Sequence, residues 1–272
     1  MEKTKVVFMY DFDGTLIKDS SEVSLIKKTF GVERIMDWWN MVNDFAHKHN
    51  MDPILATYHT LKTKLEEKNI PVTREFFAQF GKDVEFFKGV TTWFDRINAY
   101  ADSLGLEIDH YIISSGLKEI LEGTEIAPHF KKIFSSTYAY GDDGRAICIA
   151  HSINYTTKTQ FMYRIRKNLI DNLSDFGDVN EHVKDRSKII PYERMVYFGD
   201  GLTDVPCMRI LTMQNGHSVC VYEEGNQNSY EAARRLYLDR RVKDFVPADY
   251  SEGSKLDRTA KHILRKIASY IE

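Results

Sequence analysis

The sequence predicts an α/β fold in three layers, a mostly parallel sheet with helices on both faces and a helical block inserted after the first strand. Three observations support this prediction. Short apolar runs alternate with segments of helical periodicity along most of the chain, as in a parallel sheet. Two of these runs, 6–10 and 195–198, stop at or just before aspartates. A helical pattern of about seventy residues, at 20–88, follows the first run.

Composition limits the classes of function. The 272 residues carry a net charge of −3 with no long basic run, which disfavours nucleic-acid binding. The first apolar stretch ends at Asp11 and is too short for a signal peptide or a membrane span, so no membrane association is expected. The cysteines show no metal or redox spacing, which favours a reduced, cytoplasmic setting. They are Cys148, Cys207 and Cys220.

Two carboxylates follow the first strand, two residues apart. In extended backbone Asp11 and Asp13 would point to the same side and repel each other, unless the chain turns there, as Gly14 permits. Close carboxylates are stabilised by a shared proton or a bound cation. An ordinary Asp/Gly turn would use the same residues, so this motif by itself leaves both interpretations open.

A second core strand is predicted at 108–113 and leads into Ser114, Ser115 and Gly116. A serine at a junction between strand and helix can be a simple N-cap. In an open parallel sheet, however, ligands bind beyond the carboxyl ends of the strands, where Asp11 also lies. The position therefore favours a ligand-binding serine over a cap.

Lys158 lies in a segment, 157–160, that fits a capping box. A helix is therefore predicted to begin at Thr157, with Lys158 in its first turn. Most lysines are solvated surface residues, but a cation here would add to the positive end of the helix and its free amides. The segment is a candidate anion site.

The strand at 195–198 also ends in carboxylate chemistry. Gly199 and Gly201 flank Asp200, so the backbone can turn tightly and approach a metal or phosphate closely. Asp204 follows one helical turn later, where helix capping is the simpler role.

The remaining elements follow in order. The predicted hairpin is 135–150, the predicted helices are 92–104, 117–122, 229–238 and one from Lys255, and the last strand is 218–221. The polar segment 168–193 is a surface excursion whose role, lid or dimer contact, stays open. Nothing after the last strand predicts a catalytic residue.

Four motifs together resemble the haloacid dehalogenase (HAD) superfamily, most of whose members are phosphatases. They are Asp11-Phe12-Asp13-Gly14-Thr15, Ile112-Ile113-Ser114-Ser115-Gly116, Lys158, and Gly199-Asp200-Gly201-Leu202-Thr203-Asp204. The resemblance covers almost the whole chain and is closest to the phosphoserine-phosphatase-like branch. It implies a Rossmann-like core domain at 1–19 and 89–272 and a helical cap domain at 20–88, with the active site between them.

The resemblance also implies residue roles. Asp11 would be the nucleophile and Asp13 the general acid and base. Mg²⁺ would be held by the carboxylates of Asp11 and Asp200 and by the backbone carbonyl of Asp13. The phosphate-binding residues would be Ser115, Gly116 and Lys158, with Asp204 and Thr15 in support. Ser115 is preferred to Ser114 because the glycine follows it, as in the family pattern.

These roles imply a Mg²⁺-dependent phosphoric monoester hydrolase acting on a small phosphorylated metabolite. Phosphoserine phosphatases carry a cap glutamate nine residues after the nucleophile, where this chain has Ser20, with Glu22 two residues on. The stretch from Asp204 to Cys207 is loosely similar to enzymes acting on phosphocholine or phosphoethanolamine. Both substrate classes therefore stay open, as do transfer to another acceptor, the oligomeric state, and a non-catalytic module binding a phosphorylated ligand or a partner.

Overall fold

A seven-stranded sheet forms the centre of the protein in a computed structural model that describes residues 3–171, 177–183 and 189–270. The strands are β1 (Thr4–Tyr10), β2 (Leu106–Leu117), β3 (Lys132–Tyr140), β4 (Ala146–His151), β5 (Met195–Gly199), β6 (His217–Tyr222) and β7 (Asp244–Pro247). Their order is β4-β3-β2-β1-β5-β6-β7, and every pair is parallel except β3 and β4. The predicted parallel sheet is confirmed, with β1 at its centre.

Helices cover both faces of this sheet and also form the block that follows β1. They are α1 (Val23–Phe30), α2 (Ile35–His49), α3 (Pro53–Glu67), α4 (Arg74–Ala78), α5 (Val90–Asp102), α6 (Lys118–Glu122), α7 (Tyr155–Arg166), α8 (Gly177–Asn180), α9 (Val205–Met213), α10 (Gln227–Leu238) and α11 (Lys255–Ser269). Among the described helices, none is long and apolar enough to cross a lipid bilayer.

Alternation along β1 explains the layers. Val6, Phe8 and Tyr10 pack with α5 and α11 on one face of the sheet, whereas Val7 and Met9 pack with α7, α9 and α10 on the other. Successive residues of a strand point to opposite faces, so a wholly apolar strand is buried on both sides. The predicted three-layer α/β class is confirmed.

The segment predicted as a helical insertion contains α1–α4, which share a hydrophobic cluster of their own, here called the cap cluster. It includes Trp38 of α2 and Leu61 of α3. The same cluster also takes in Leu117 at the end of β2 and Tyr138 and Ala146 of the β3–β4 hairpin. The backbone N–H of Ala146 even donates to the carbonyl of Val72, at 2.8 Å. The helical block therefore packs directly onto the hairpin of the core sheet.

The structure differs locally from the sequence predictions at α7 and β7. The hairpin is confirmed, but α7 begins at Tyr155 and not at Thr157, because Asn154 is its N-cap and Thr157 is the third helical residue of the capping box. The strand β7 was not predicted, since only four residues separate two loops there. Of the predicted excursion at 168–193, residues 172–176 and 184–188 lie outside the described residues.

Candidate active site

The carboxyl end of β1 delivers two aspartates to one edge of the sheet. The N–H of Asp11 donates to the carbonyl of Phe198 in β5, at 2.8 Å, so Asp11 still belongs to the sheet. The chain then turns at Gly14, whose φ of +68° is unfavourable for other residues. A Cβ atom there would lie only 2.5 Å from Oδ2 of Asp200. The glycine therefore permits both the turn and the close approach of the two loops.

Lys158 joins two of the loops by ion pairs. Its Nζ lies 3.0 Å from Oδ2 of Asp11 and 2.7 Å from Oδ1 of Asp204, and its side chain is completely buried. Burial disfavours the ammonium ion, but the charges of Asp11 and Asp204 outweigh burial and raise the pKa of Lys158. The lysine is therefore cationic and fixed in direction.

Three carboxylates cluster beside this lysine. Asp11, Asp200 and Asp204 each present one oxygen so that all three oxygens lie within 4.8 Å of one another. Burial, and then the charge of Asp204, raise the pKa of Asp11 to about 6, although Lys158 acts against this rise. Burial and the same neighbouring carboxylates also raise the pKa of Asp200. One lysine does not balance three acids, so the cluster carries an excess of negative charge.

The donor set fits a hard divalent cation. All of the converging atoms are carboxylate oxygens, the ligands that Mg²⁺ prefers. Asp204 is already used by protein donors, because Lys158, the hydroxyl of Tyr197 (2.7 Å) and the N–H of Gly201 (3.2 Å) all bond to it. Asp11 and Asp200 have fewer protein donors and remain the better ligands of the cluster.

Asp13 faces the helical block and not the lysine. Its Oδ1 accepts a hydrogen bond of 2.9 Å from the N–H of Ser21. Burial and the charges of Glu22 and Asp11 raise its pKa well above the usual carboxyl value. A Cβ atom on Gly116 would lie 3.2 Å from Oδ2 of Asp13, so the end of β2 touches this carboxyl group. Asp13 is thus a carboxyl that holds a proton readily.

The two serines at the end of β2 have different surroundings. Ser114 is completely buried, and its Oγ accepts a hydrogen bond of 3.0 Å from the N–H of Gly116. The Oγ of Ser115 is buried without a hydrogen-bond partner among the described residues. Of the two hydroxyl groups, Ser115 Oγ is therefore the one left without a described partner.

Comparisons with known proteins agree with this architecture. No family model matches the chain. An uncharacterised protein of Borreliella burgdorferi is 26% identical over 277 residues, which cover 92% of this chain and 93% of that protein. Phosphoserine phosphatase in its apo form superimposes with a TM-score of 0.55 at 13% identity over 99% of this chain and all of the other. A HAD-family hydrolase of Salmonella enterica serovar Typhi gives a TM-score of 0.55 at 16% identity, covering 88% of this chain and 66% of that one.

The chain has the HAD fold. The recognition made from four short motifs is confirmed at this level. The HAD-like features of the sequence also lie at one place, since Asp11, Lys158, Asp200 and Asp204 are all members of one cluster. Thr15 joins them through its hydroxyl, 3.5 Å from Oδ1 of Asp200.

Sequence reasoning missed two tyrosines of this site. Tyr197 of β5 is completely buried and donates to Asp204 from within the sheet. Tyr250, between β7 and α11, is also completely buried and donates to the carbonyl of Thr15 at 2.9 Å. In the sequence both look like ordinary core aromatics, and only their hydroxyl groups, which need partners when buried, could have marked them.

Proposed function

We propose that this protein is a Mg²⁺-dependent phosphatase that hydrolyses a small phosphorylated metabolite through an aspartyl-phosphate on Asp11. The observation that carries the proposal is the completely buried Lys158, ion-paired at once with Asp11 and Asp204. A phosphate monoester is anionic and repels nucleophiles, so its hydrolysis needs fixed cations and a well-placed attacking group. Lys158 offers such a cation beside a carboxylate.

In the first half-reaction Asp11 is the nucleophile. A carboxylate oxygen of Asp11 forms a bond to phosphorus while the bond from phosphorus to the leaving oxygen breaks. Asp13 gives its proton to that leaving oxygen, so the alcohol departs neutral. The raised pKa of Asp13, caused by burial and then by the charges of Glu22 and Asp11, supports its role as the acid.

In the second half-reaction the roles reverse. Asp13, now ionised, takes a proton from water, whose oxygen attacks the phosphorus of the aspartyl-phosphate. The bond from phosphorus to the Asp11 oxygen breaks, and phosphate leaves. Ser115, Gly116 and Lys158 would bind the phosphoryl oxygens, and Asp204 and Thr15 would hold Lys158 and Asp200 in place. The Oγ of Ser115, which has no hydrogen-bond partner among the residues that the structure describes, supports its assignment.

Mg²⁺ would be held by the carboxylates of Asp11 and Asp200 and by the backbone carbonyl of Asp13. When bound, it would neutralise charge on the phosphoryl oxygens and on the carboxylate cluster. The excess of negative charge around Asp11 supports this assignment, because Lys158 is the one cation that pairs with the cluster among the described residues.

The substrate is proposed as a small phosphorylated metabolite, without a choice between phosphoserine and phosphocholine or phosphoethanolamine. Water is the proposed acceptor. A cytoplasmic location is inferred from the thiols, which form no disulfide: Cys148 is exposed, and Cys207 and Cys220 are buried.

The test is release of phosphate from p-nitrophenyl phosphate with Mg²⁺ or with EDTA. We expect turnover with Mg²⁺ only, none with Asp11→Asn, and a large loss with Asp13→Asn. Asp44→Asn is the matched control, because Asp44 is an exposed aspartate of α2. Activity that survives Asp11→Asn would exclude the proposed nucleophile.

A further inference from the structure

Two side chains of the helical block meet the end of β2. The hydroxyl of Tyr58, in α3, lies 2.8 Å from Oε1 of Glu22 and 2.7 Å from the carbonyl oxygen of Ser115. The N–H of Leu117 donates to the same Oε1 at 2.9 Å. Glu22 and Tyr58 are each 3% exposed. We call these four groups the Tyr58 node.

The hydrogen bonds of the node give both oxygens of Glu22 donors from within the protein. Oε1 is bonded by the Tyr58 hydroxyl and the Leu117 amide, and Oε2 accepts from the hydroxyl of Ser20 at 2.5 Å. All three donors are neutral groups of this chain. A buried carboxylate needs such partners, and here it has them without a ligand.

The Tyr58 hydroxyl has one proton and two close acceptors. That proton is shared between Glu22, at the start of the helical block, and Ser115, at the end of the core strand. A phenylalanine in its place would leave the Ser115 carbonyl without this donor. The hydroxyl is thus a direct link between the two parts of the molecule that enclose the site.

Residues of the Tyr58 node are also the sequence neighbours of the two residues that contact Asp13. Ser21, next to Glu22, donates its N–H to Asp13. Gly116, between Ser115 and Leu117, fits so closely that a Cβ atom on it would lie 2.8 Å from Oγ of Ser21. A shift of the helical block by a fraction of an ångström would therefore move Ser21, and with it Asp13.

We propose that Tyr58 is a positioning residue, whose hydroxyl fixes the helical block against the end of β2 so that Asp13 and Ser115 keep their reactive geometry. The proposal rests on the proposed phosphatase function. It assigns Glu22 to the same node, as a structural partner of Tyr58 and not as a ligand for a cationic substrate.

The ring of Tyr58 contributes to apolar packing, whereas the proposed positioning role belongs to its hydroxyl alone. Tyr58, Leu117 and Tyr138 all belong to the cap cluster through their carbon atoms, and the hydroxyl of Tyr138 donates to the carbonyl of Tyr58 at 2.6 Å. Tyr58→Phe keeps the ring and the backbone. The variant should therefore fold and lose geometry at the site only.

The first experiment compares Tyr58→Phe with Tyr140→Phe. Tyr140, in the β3–β4 hairpin, is a matched control because its hydroxyl also donates to a glutamate, Glu119 of α6, at 2.8 Å. We expect Tyr58→Phe to lower kcat for p-nitrophenyl phosphate by about tenfold or more, with KM within about twofold, since misplaced catalytic groups slow the chemical step. Tyr140→Phe should stay within about twofold of wild type, because its bond only joins hairpin and helix. Equal kcat values for the two variants would overturn the proposal.

The second experiment uses Glu22→Gln with p-nitrophenyl phosphate and phosphoethanolamine. A glutamine can still accept from Leu117 and Tyr58, so its effect should lie between wild type and Tyr58→Phe and be the same for both substrates. A loss confined to phosphoethanolamine would make Glu22 a ligand for the ammonium group and overturn the proposal.

A binding measurement separates this proposal from the phosphatase assignment. Mg²⁺ with beryllium fluoride mimics an aspartyl-phosphate and should raise the Tm of the wild type, with a smaller rise for Tyr58→Phe than for Tyr140→Phe. A wild type with neither turnover nor a rise in Tm would refute the phosphatase assignment and the role of Tyr58 with it. An active wild type with equal rises in both variants would refute the role of Tyr58 only.

Discussion

Lys158 and Asp204 form an ion pair of 2.7 Å in which neither side chain is exposed. The same lysine reaches Asp11, at 3.0 Å, so one buried cation is shared by two acids from different loops. The net contribution of such a buried pair to stability is small. Substitution of one partner is nevertheless strongly destabilising, because the remaining charge would be buried without compensation.

Lys158→Met should destabilise the protein and abolish the proposed phosphatase activity. Removal of the lysine leaves Asp11 and Asp204 uncompensated, and the expected loss is about 3–5 kcal/mol in the free energy of unfolding. Mg²⁺ should restore part of this loss by supplying positive charge. Denaturant unfolding with and without Mg²⁺ measures both effects.

Lys62→Met is the control for this variant. Lys62 pairs with Glu66 at 2.6 Å on the surface of α3, and exposed pairs contribute only about 0.5 kcal/mol. If Lys158→Met were as stable as Lys62→Met, the buried cation would not be holding the carboxylates together.

Gly14→Ala should remove the response to Mg²⁺. The new Cβ atom would lie 2.5 Å from Oδ2 of Asp200 and force this proposed ligand away. Gly31→Ala is an unusually good control, since Gly31 has the same φ of +68° and no atom within 4 Å of the added carbon. Both variants should lose roughly 1 kcal/mol or more of stability to the backbone conformation.

Only Gly14→Ala should also lose the proposed phosphatase activity and the rise in Tm that we expect Mg²⁺ to produce in the wild type. Equal Mg²⁺ responses in the two glycine variants would contradict the assignment of Asp200 as a metal ligand.

Mg²⁺ affinity should fall as the pH is lowered through about 6. Burial and Asp204 raise the pKa of Asp11 to about 6, and burial raises that of Asp200 as well. Below these pKa values the carboxyl groups carry protons that the metal must displace. Calorimetric titration should give a Kd at pH 5 that is about tenfold or more above that at pH 7.5. A Kd that does not change over this range would contradict metal binding through carboxyl groups of raised pKa.

His110 should make the fold sensitive to acid. It is buried beside Tyr10 and Asn98, and burial lowers its pKa to about 3. The unfolded chain, with a histidine pKa of about 6.5, binds the proton first, so stability is present above pH 6.5 and is lost progressively toward pH 3. One such group accounts for about 2 kcal/mol between pH 7 and pH 5.

The measurement is the free energy of unfolding of His110→Asn and of wild type across this pH range. The variant should show a shallower decline with acid, whereas His47→Asn, at an exposed position of α2, should keep the slope of the wild type. Parallel curves for wild type and His110→Asn would place the acid sensitivity elsewhere.

Sequence reasoning succeeded where the information is local. The turn after Asp11 and the residues around Asp200 are specified by neighbours within a few positions, and parallel strands bring their carboxyl ends together without further information. The N-cap of α7 is Asn154, three residues before Thr157. Both residue types suit an N-cap, and only the backbone decides between them.

Long-range contacts account for what the sequence could not reveal. Tyr250 lies 235 residues from Thr15, and Tyr58 lies 57 residues from Ser115, yet each pair is joined by a hydrogen bond. No periodicity or spacing predicts which core tyrosine will meet which carbonyl. Their roles depend on how the helical block and the last loop pack, and packing is a property of the whole fold.

The cap cluster makes the helical block depend on the core hairpin, so the block is not an independent module. Its apolar face is completed by Tyr138 and Ala146, which belong to the core hairpin. Deletion of the block would expose those side chains and leave a hydrophobic patch beside the site. A transplant of the block into another protein of this fold would therefore need the hairpin as well.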